Sequence, residues 1–207
     1  MLLNMFTERV QSRADRREST RQRVLTSADH LFREQGFGAT TIRQIASDAQ
    51  VSTGTVMAVG DKDALLIAIF DEWIAAVHHE RQSESAAGRD RTAGASAVQL
   101  VMNVLEPFIT YFGRDPKLSR EYAAIIVRGD HESEIFRTLG LSLVAEIDQA
   151  LRESGISPSR APSGARVVYF TYLGILMSGG GAAAQQSALD QLREVVNFVV
   201  SQSGETQ

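Results

Sequence analysis

With 207 residues, 43% of them hydrophobic and 22% charged, and a formal net charge of −4, the chain can bury a substantial core. It has no cysteine, which excludes a disulfide framework, a thiolate metal site and a cysteine nucleophile. No apolar run reaches the roughly 18 residues of a membrane span, and Met1–Phe6 is too short for a signal peptide, so a cytoplasmic protein is expected.

Helical spacing runs through the whole chain and alternating strand patterns are nearly absent. Residues 1–18 are polar and arginine-rich without a clear period, and read as a flexible basic arm. Arg9, Arg13, Arg16, Arg17, Arg21 and Arg23 crowd the first two dozen positions, so residues 1–62 are net +2 and residues 63–207 net −6. Nucleic acid needs a local basic surface, not a basic protein. Ser19 with Gln22 fits a capping box. Behind it Val24, Leu25, Ala28, Leu31 and Phe32 form an apolar stripe that Gly36 terminates. Thr41 with Gln44 makes a second capping box, opening a short helix with Ile42, Ile45, Ala46 and Ala49. A tight turn at Gln50-Val51-Ser52 leads to a third short helix, Thr53 to Val59, which Gly60-Asp61 breaks. Asp61 can cap the fourth, where Leu66, Ile69, Phe70, Trp73, Ile74 and Val77 keep helical register.

Ser83 to Ala95 reads as a loop. The expected fifth helix is Ala97 to Phe112, kinked at Pro107; the sixth is Pro116 to Val127; the seventh is Glu132 to Glu153. Pro158 to Gly164 punctuates. The eighth helix, Ala165 to Ser178, is apolar nearly all round, and Gly179–Gly181 ends it before a ninth, Ser187 to Gln202. The fold class is therefore all-α, with about nine helices. A three-helix head over 19–63 precedes a larger helical body over 64–207.

Two short helices joined by a tight turn and packed on a longer first helix make a helix-turn-helix. In such a unit the later helix enters the major groove of DNA, where base edges are legible. From Val24 to Ile69 the sequence resembles the TetR family of transcriptional regulators. The resemblance is carried by Val24-Leu25, Ala28, Leu31-Phe32, Gly36-Phe37, Ala39-Thr40-Thr41-Ile42, Ile45-Ala46, Ala49, Val51-Ser52, Gly54-Thr55-Val56 and Lys62-Asp63-Ala64-Leu65. Beyond the head it is architectural only. It implies a double-stranded DNA operator as partner, contacted by Thr41, Arg43, Thr53, Gly54, Thr55 and Met57, with Lys62 on a phosphate. Taken alone, Arg43 and Lys62 would be solvated surface charges; their place in the motif makes them contacts. The sequence departs from the family at Gln50, where glycine is usual. It departs again at Met57-Ala58-Val59, where a Tyr, a His and a Phe are common, so a tyrosine-to-phosphate contact is missing.

The resemblance further implies a homodimer through helices eight and nine and a small-molecule effector in the body. Trp73, Phe108, Phe112, Tyr122, Phe136 and Phe170 are the candidate lining, with Tyr111 and Arg128 as polar anchors. Each of these aromatics also suits plain core packing. His78 and His79 are adjacent, about 100° apart on a helix, and lack the spacing that puts two imidazoles on one ion. Gly179–Gly181 has neither the preceding strand nor the following lysine of a phosphate loop. No catalytic constellation and no cofactor motif is visible, so an enzyme is not expected. A regulator whose body serves dimerisation alone remains the alternative, favoured by a closed core and opposed by a sizeable apolar cavity.

Overall fold

A computed structural model describes the backbone of residues 2–86, 95–131, 133–178 and 182–201; the side chains of 2–12, 82, 84–86, 134, 136, 178 and 182–185 lie outside the description. Every regular element among the described residues is an α-helix. In chain order these are α1 (Leu2–Gln35), α2 (Ile42–Asp48), α3 (Thr53–Val59), α4 (Lys62–Ala86), α5 (Ala97–Phe112), α6 (Pro116–Arg128), α7 (Glu134–Glu153), α8 (Ala161–Ser178) and α9 (Ala182–Ser201). The chain divides into two compact units, Met1–Phe70 and Asp71–Gln207, and α4 contributes to both.

In the first unit α2 and α3 pack on each other and on α1. Val24, Leu25, Ala28 and Phe32 of α1, Ile45 and Ala46 of α2, and Val56 of α3 are buried, as are Leu65 and Leu66 of α4. Each large apolar side chain so buried contributes about 1.5–3 kcal/mol. The expected capping box is present at α2. The Thr41 N–H donates to Gln44 Oε1 at 2.8 Å, and the Gln44 N–H donates to Thr41 Oγ1 at 3.3 Å. Asp61 accepts from the Ala64 N–H at 2.8 Å and so caps α4. Gly36, at φ 89, ends α1. Gly60 has a different reason to be glycine: a Cβ there would sit 2.8 Å from the Ala64 Cβ.

In the second unit α7 packs along α8, α5 against α7 and α9, α9 against α8, and α6 against α8. Buried residues at helical spacing form this core, among them Leu105, Phe108, Tyr122, Leu143, Ile147, Leu151, Val168, Tyr172, Leu192 and Val196.

Several boundaries move from their expected places. α1 starts at Leu2 and not at Ser19, because residues 2–18 contain neither Gly nor Pro and the helix propagates through them. α8 starts at Ala161, four residues before the expected Ala165. Pro162 falls in its first turn, where proline's missing N–H has no helical partner to lose. α9 begins at Ala182 and α5 continues through Pro107. Glu132 and Gly179–Gly181 lie outside the described residues, as does most of the expected 83–95 loop.

Gln50 is at φ 55, the one positive-φ position among the described residues that is not glycine. The left-handed region costs a side-chain-bearing residue about 1–2 kcal/mol, and glycine's extra unfolded-state entropy offsets part of any gain. Gln50 is exposed and its replacement disturbs no packing. Gln50→Gly should therefore raise stability by about 0.5–1 kcal/mol, read as a higher urea midpoint at unchanged slope.

Candidate functional site

The surface of the first unit is set by what holds α3. A helix of 7 residues is too short to persist alone. Ser52 caps it: its Oγ accepts from the Thr55 N–H at 3.0 Å and lies 2.9 Å from the Thr55 hydroxyl. Val56, fully buried, anchors its inner side. The outer side presents Thr53, Gly54, Met57 and Ala58, with Met57 53% exposed. Thr55 is half-buried and its hydroxyl is engaged with Ser52, so it supports the helix start more than it reaches outward. Thr41 and Arg43 of the α2 start are exposed. Arg13, Arg16, Arg17 and Arg23 are exposed on α1, while the side chain of Arg9 is outside the described residues.

Lys62 has an intramolecular role that the sequence did not disclose. Its ammonium donates to the Phe37 carbonyl at 2.9 Å and the Thr40 carbonyl at 3.3 Å, and it lies 4.4 Å from the Phe37 ring centroid. Thr40 is buried and donates its own hydroxyl to the Gly36 carbonyl at 2.9 Å. Lys62 thus fastens the start of α4 to the α1–α2 turn, leaving one of an ammonium's three donors for an outside acceptor. Ser52 and Thr40 were missed as supports; Ser-x-x-Thr ahead of α3 was the available signal for the first.

In the second unit, Trp73, Phe108, Tyr111 and Phe112 form one aromatic cluster. Trp73 stacks on Tyr111 with planes 10° apart and meets Phe108 and Phe112 edge-on at centroid distances of 6.3 and 6.2 Å. Tyr122 joins through Phe112 at 5.9 Å. Phe108 and Phe112 line a small interior cavity of about 20 Å³, with Ile74, Leu139, Gly140, Leu143, Tyr169, Tyr172, Leu173 and Leu176. That is room for roughly one water. Trp73, Tyr111 and Tyr122 belong to the aromatic cluster but do not line the cavity, and two further candidates lie apart from both. Phe170 is 65% exposed on α8, because α8 turns its Tyr169 and Tyr172 side inward. Arg128 is half-exposed and pairs with Asp130 at 3.7 Å. Phe136 belongs to α7, but its side chain is outside the described residues. The α8 contribution was missed because an all-round apolar helix does not show which side faces inward.

A polar cluster ties α4 to the α7 start. The Ser133 hydroxyl donates to Asp71 Oδ1 at 2.7 Å, and the Ser133 carbonyl accepts from the Arg137 N–H in the first turn of α7. Burial raises the Asp71 pKa above the ordinary carboxylate value, with the Ser133 bond opposing it. Tyr122 is held above the ordinary phenol value, mainly by burial and then by the Asp71 charge. Among the described residues no group of three or more His, Cys, Asp or Glu is placed to hold a metal ion.

Two expectations follow. Lys62→Met removes both carbonyl contacts and should cost about 1–2 kcal/mol of stability, measured by urea unfolding. Asp71 has a folded pKa above its unfolded one, so its contribution favours the folded state at low pH and turns unfavourable as pH rises through the folded value. Asp71→Asn, which keeps an acceptor for Ser133, should melt at or above the wild-type temperature at neutral pH. That advantage should shrink as pH falls toward the carboxylate range.

Comparison with known proteins agrees with this geometry. Residues 24–69 match the family described as bacterial regulatory proteins, tetR family. The chain is 48% identical over 50 residues to the HTH-type transcriptional regulator HbdR of Aromatoleum sp. (strain CIB), a match covering 24% of this chain and 22% of that protein. It shares its fold with Thermus thermophilus FadR, a TetR-family repressor solved with lauroyl-CoA. The TM-score is 0.63 at 20% identity over 90% of this chain and 96% of that one. RolR, solved with resorcinol, is similar at a TM-score of 0.61 and 16% identity over 93% and 97%. Bacillus subtilis FadR, solved with stearoyl-CoA, is similar at 0.56 and 17% over 87% and 97%. Residues 24–69 thus carry the sequence of a tetR-family head, and the fold of the chain is similar to that of solved TetR-family structures.

Proposed function

We propose that the protein is a cytoplasmic homodimeric repressor that binds a palindromic operator and is released by a small apolar or amphipathic molecule. The observation that carries the DNA part is the outward side of α3. Thr53, Gly54, Met57 and Ala58 lie together in solvent on a helix fixed from behind by Val56. They carry no charge. The reading chemistry is therefore hydroxyl hydrogen bonds and apolar contact, and the natural target of a methionine or alanine in the major groove is the thymine methyl. Arg43, the remaining Lys62 donor and the α1 arginines supply phosphate contacts, which position the head without reading sequence. An arm over residues 1–18, the reading domain over 19–63 and a sensing and dimerisation domain over 64–207 complete this proposal.

Support for the dimer comes from the uncovered sides of α8 and α9. Val167 is 49% exposed, Phe170 65% and Phe198 61%. Gly174 is exposed, with nothing within 4 Å of an added Cβ, which suits a close helix approach. Val167, Phe170 and Gly174 fall at i, i+3 and i+7, on one side of α8. A two-fold pairing there presents two α3 helices to half-sites about 34–36 Å apart. Ligand gating runs through α4, which belongs to both compact units. A ligand acts by binding one α4 position better than another.

The small cavity favours a second reading, in which the body serves dimerisation alone and no effector exists. Ligand entry requires the aromatic lining to part from about 20 Å³, which the sensing reading must accommodate by a minor open state. Acyl-CoA and resorcinol are what the similar structures hold, so this fold accommodates both long and small molecules.

Phe170→Glu should convert the dimer to monomer in sedimentation equilibrium and abolish retention of genomic DNA fragments. Met57→Glu should abolish retention while leaving the dimer intact. A wild-type chain that sediments as a monomer, or a Met57→Glu variant that retains DNA normally, contradicts the proposal.

A further inference from the structure

A half-buried ion pair joins α4 to α7 close to the cavity-lining Phe108. Arg81 of α4 is 19% exposed at its side chain, and its Nη2 donates to Glu146 Oε2 of α7 at 2.7 Å. The other terminal nitrogen, Nη1, is buried and makes no hydrogen bond among the described residues. His78 Nδ1 stands 3.8 Å from the second Glu146 oxygen. The guanidinium lies 5.9 Å from the ring centroid of Phe108, which lines the cavity. Register agrees with the distances. Ile74 and Arg81 are seven residues apart on α4, and Leu143 and Glu146 three apart on α7, so each charged residue shares a side with a lining residue. Tyr172, also in the lining, is close enough for the Arg81 charge to oppose part of its burial-driven pKa rise. The ion pair therefore stands just behind the cavity lining, next to Phe108.

A buried guanidinium nitrogen without a partner is costly unless something fills it. Charge decides what can. Arg81 and Glu146 already neutralise each other. A carboxylate on Nη1 would put a second negative charge beside the half-buried Glu146, and like charges so placed repel. A neutral oxygen acceptor completes the hydrogen bond and adds no charge. We propose that the effector is an uncharged, mainly apolar molecule carrying a carbonyl oxygen, such as a ketone, ester or amide, which Arg81 Nη1 holds while Glu146 keeps the guanidinium in place. This rests on the sensing reading of the same chamber and narrows its ligand class.

Three probes of one shape separate the possibilities: acetophenone with a neutral acceptor, benzoate with a charged one, and ethylbenzene with none. Binding to the full-length protein is measured by titration calorimetry at pH 8, where an ordinary imidazole is neutral. The expected order is acetophenone tightest and benzoate weakest. Arg81→Lys keeps the charge facing Glu146 but lacks the second nitrogen. It should weaken acetophenone about tenfold and leave ethylbenzene within about twofold. Should Arg81→Lys fail to fold, the charge-free pair Arg81→Met with Glu146→Leu takes its place, and there acetophenone and ethylbenzene should bind alike. Benzoate binding tighter than acetophenone, acetophenone unaffected by Arg81→Lys or still preferred in the charge-free pair, or no binding by any probe overturns the proposal. Retention of DNA by the same wild-type preparation without probe is measured in parallel. Its loss counts against the regulator reading and leaves the Arg81 result standing.

Discussion

Val56 is the only α3 residue buried among Thr53–Val59, and the exposed side of that helix depends on it. A two-turn helix has too few internal bonds to persist, so its orientation comes from outside. The Ser52 cap fixes its start, Gln50 in the left-handed region fixes the turn before it, and Gly60 lets α4 follow immediately. The Lys62 ammonium then binds the far end of the unit back to the α1–α2 turn through the carbonyls of Phe37 and Thr40. Together these devices leave Thr53, Gly54 and Met57 no role in the core. A side chain excluded from packing and held on a rigid support is available for recognition.

Much of this head was legible because its signals are short-range. Capping boxes, helix-ending glycines and apolar periods act within a few residues, and the elements they mark for α2 and α3 appear where expected. The strained turn was legible too, since Gln50 stands where a positive φ is needed. Lys62 shows the limit. Its acceptors lie 22 and 25 residues away, and carbonyl groups leave no trace in a sequence. A lysine that fastens a turn and one that meets a phosphate look the same until folded.

The body was legible as helices but not as a chamber. Phe108 and Phe112 were found because α5 is amphipathic, with one clear inner side. Phe170 was misplaced because α8 is apolar on several sides, and only packing against α7 reveals that Tyr169 and Tyr172 face inward. Arg81 and Glu146 escaped notice because, 65 residues apart, they resemble ordinary surface charges on two solvated helices. Their meeting as a half-buried pair is a tertiary fact. The aromatic cluster and the cavity of about 20 Å³ leave little free space in the body. Sensing then requires an open state that a ligand stabilises, and the amount of that state sets the apparent affinity.

The most direct test of the central claim is selection and sequencing of random duplex DNA on the purified full-length protein. The expected result is enrichment of a two-fold palindrome whose half-sites lie one helical turn apart and whose central contacts are thymines. Enrichment that disappears in Met57→Glu would complete the agreement. Failure to enrich any sequence, or enrichment of an unpaired single site bound by a monomer, would contradict it.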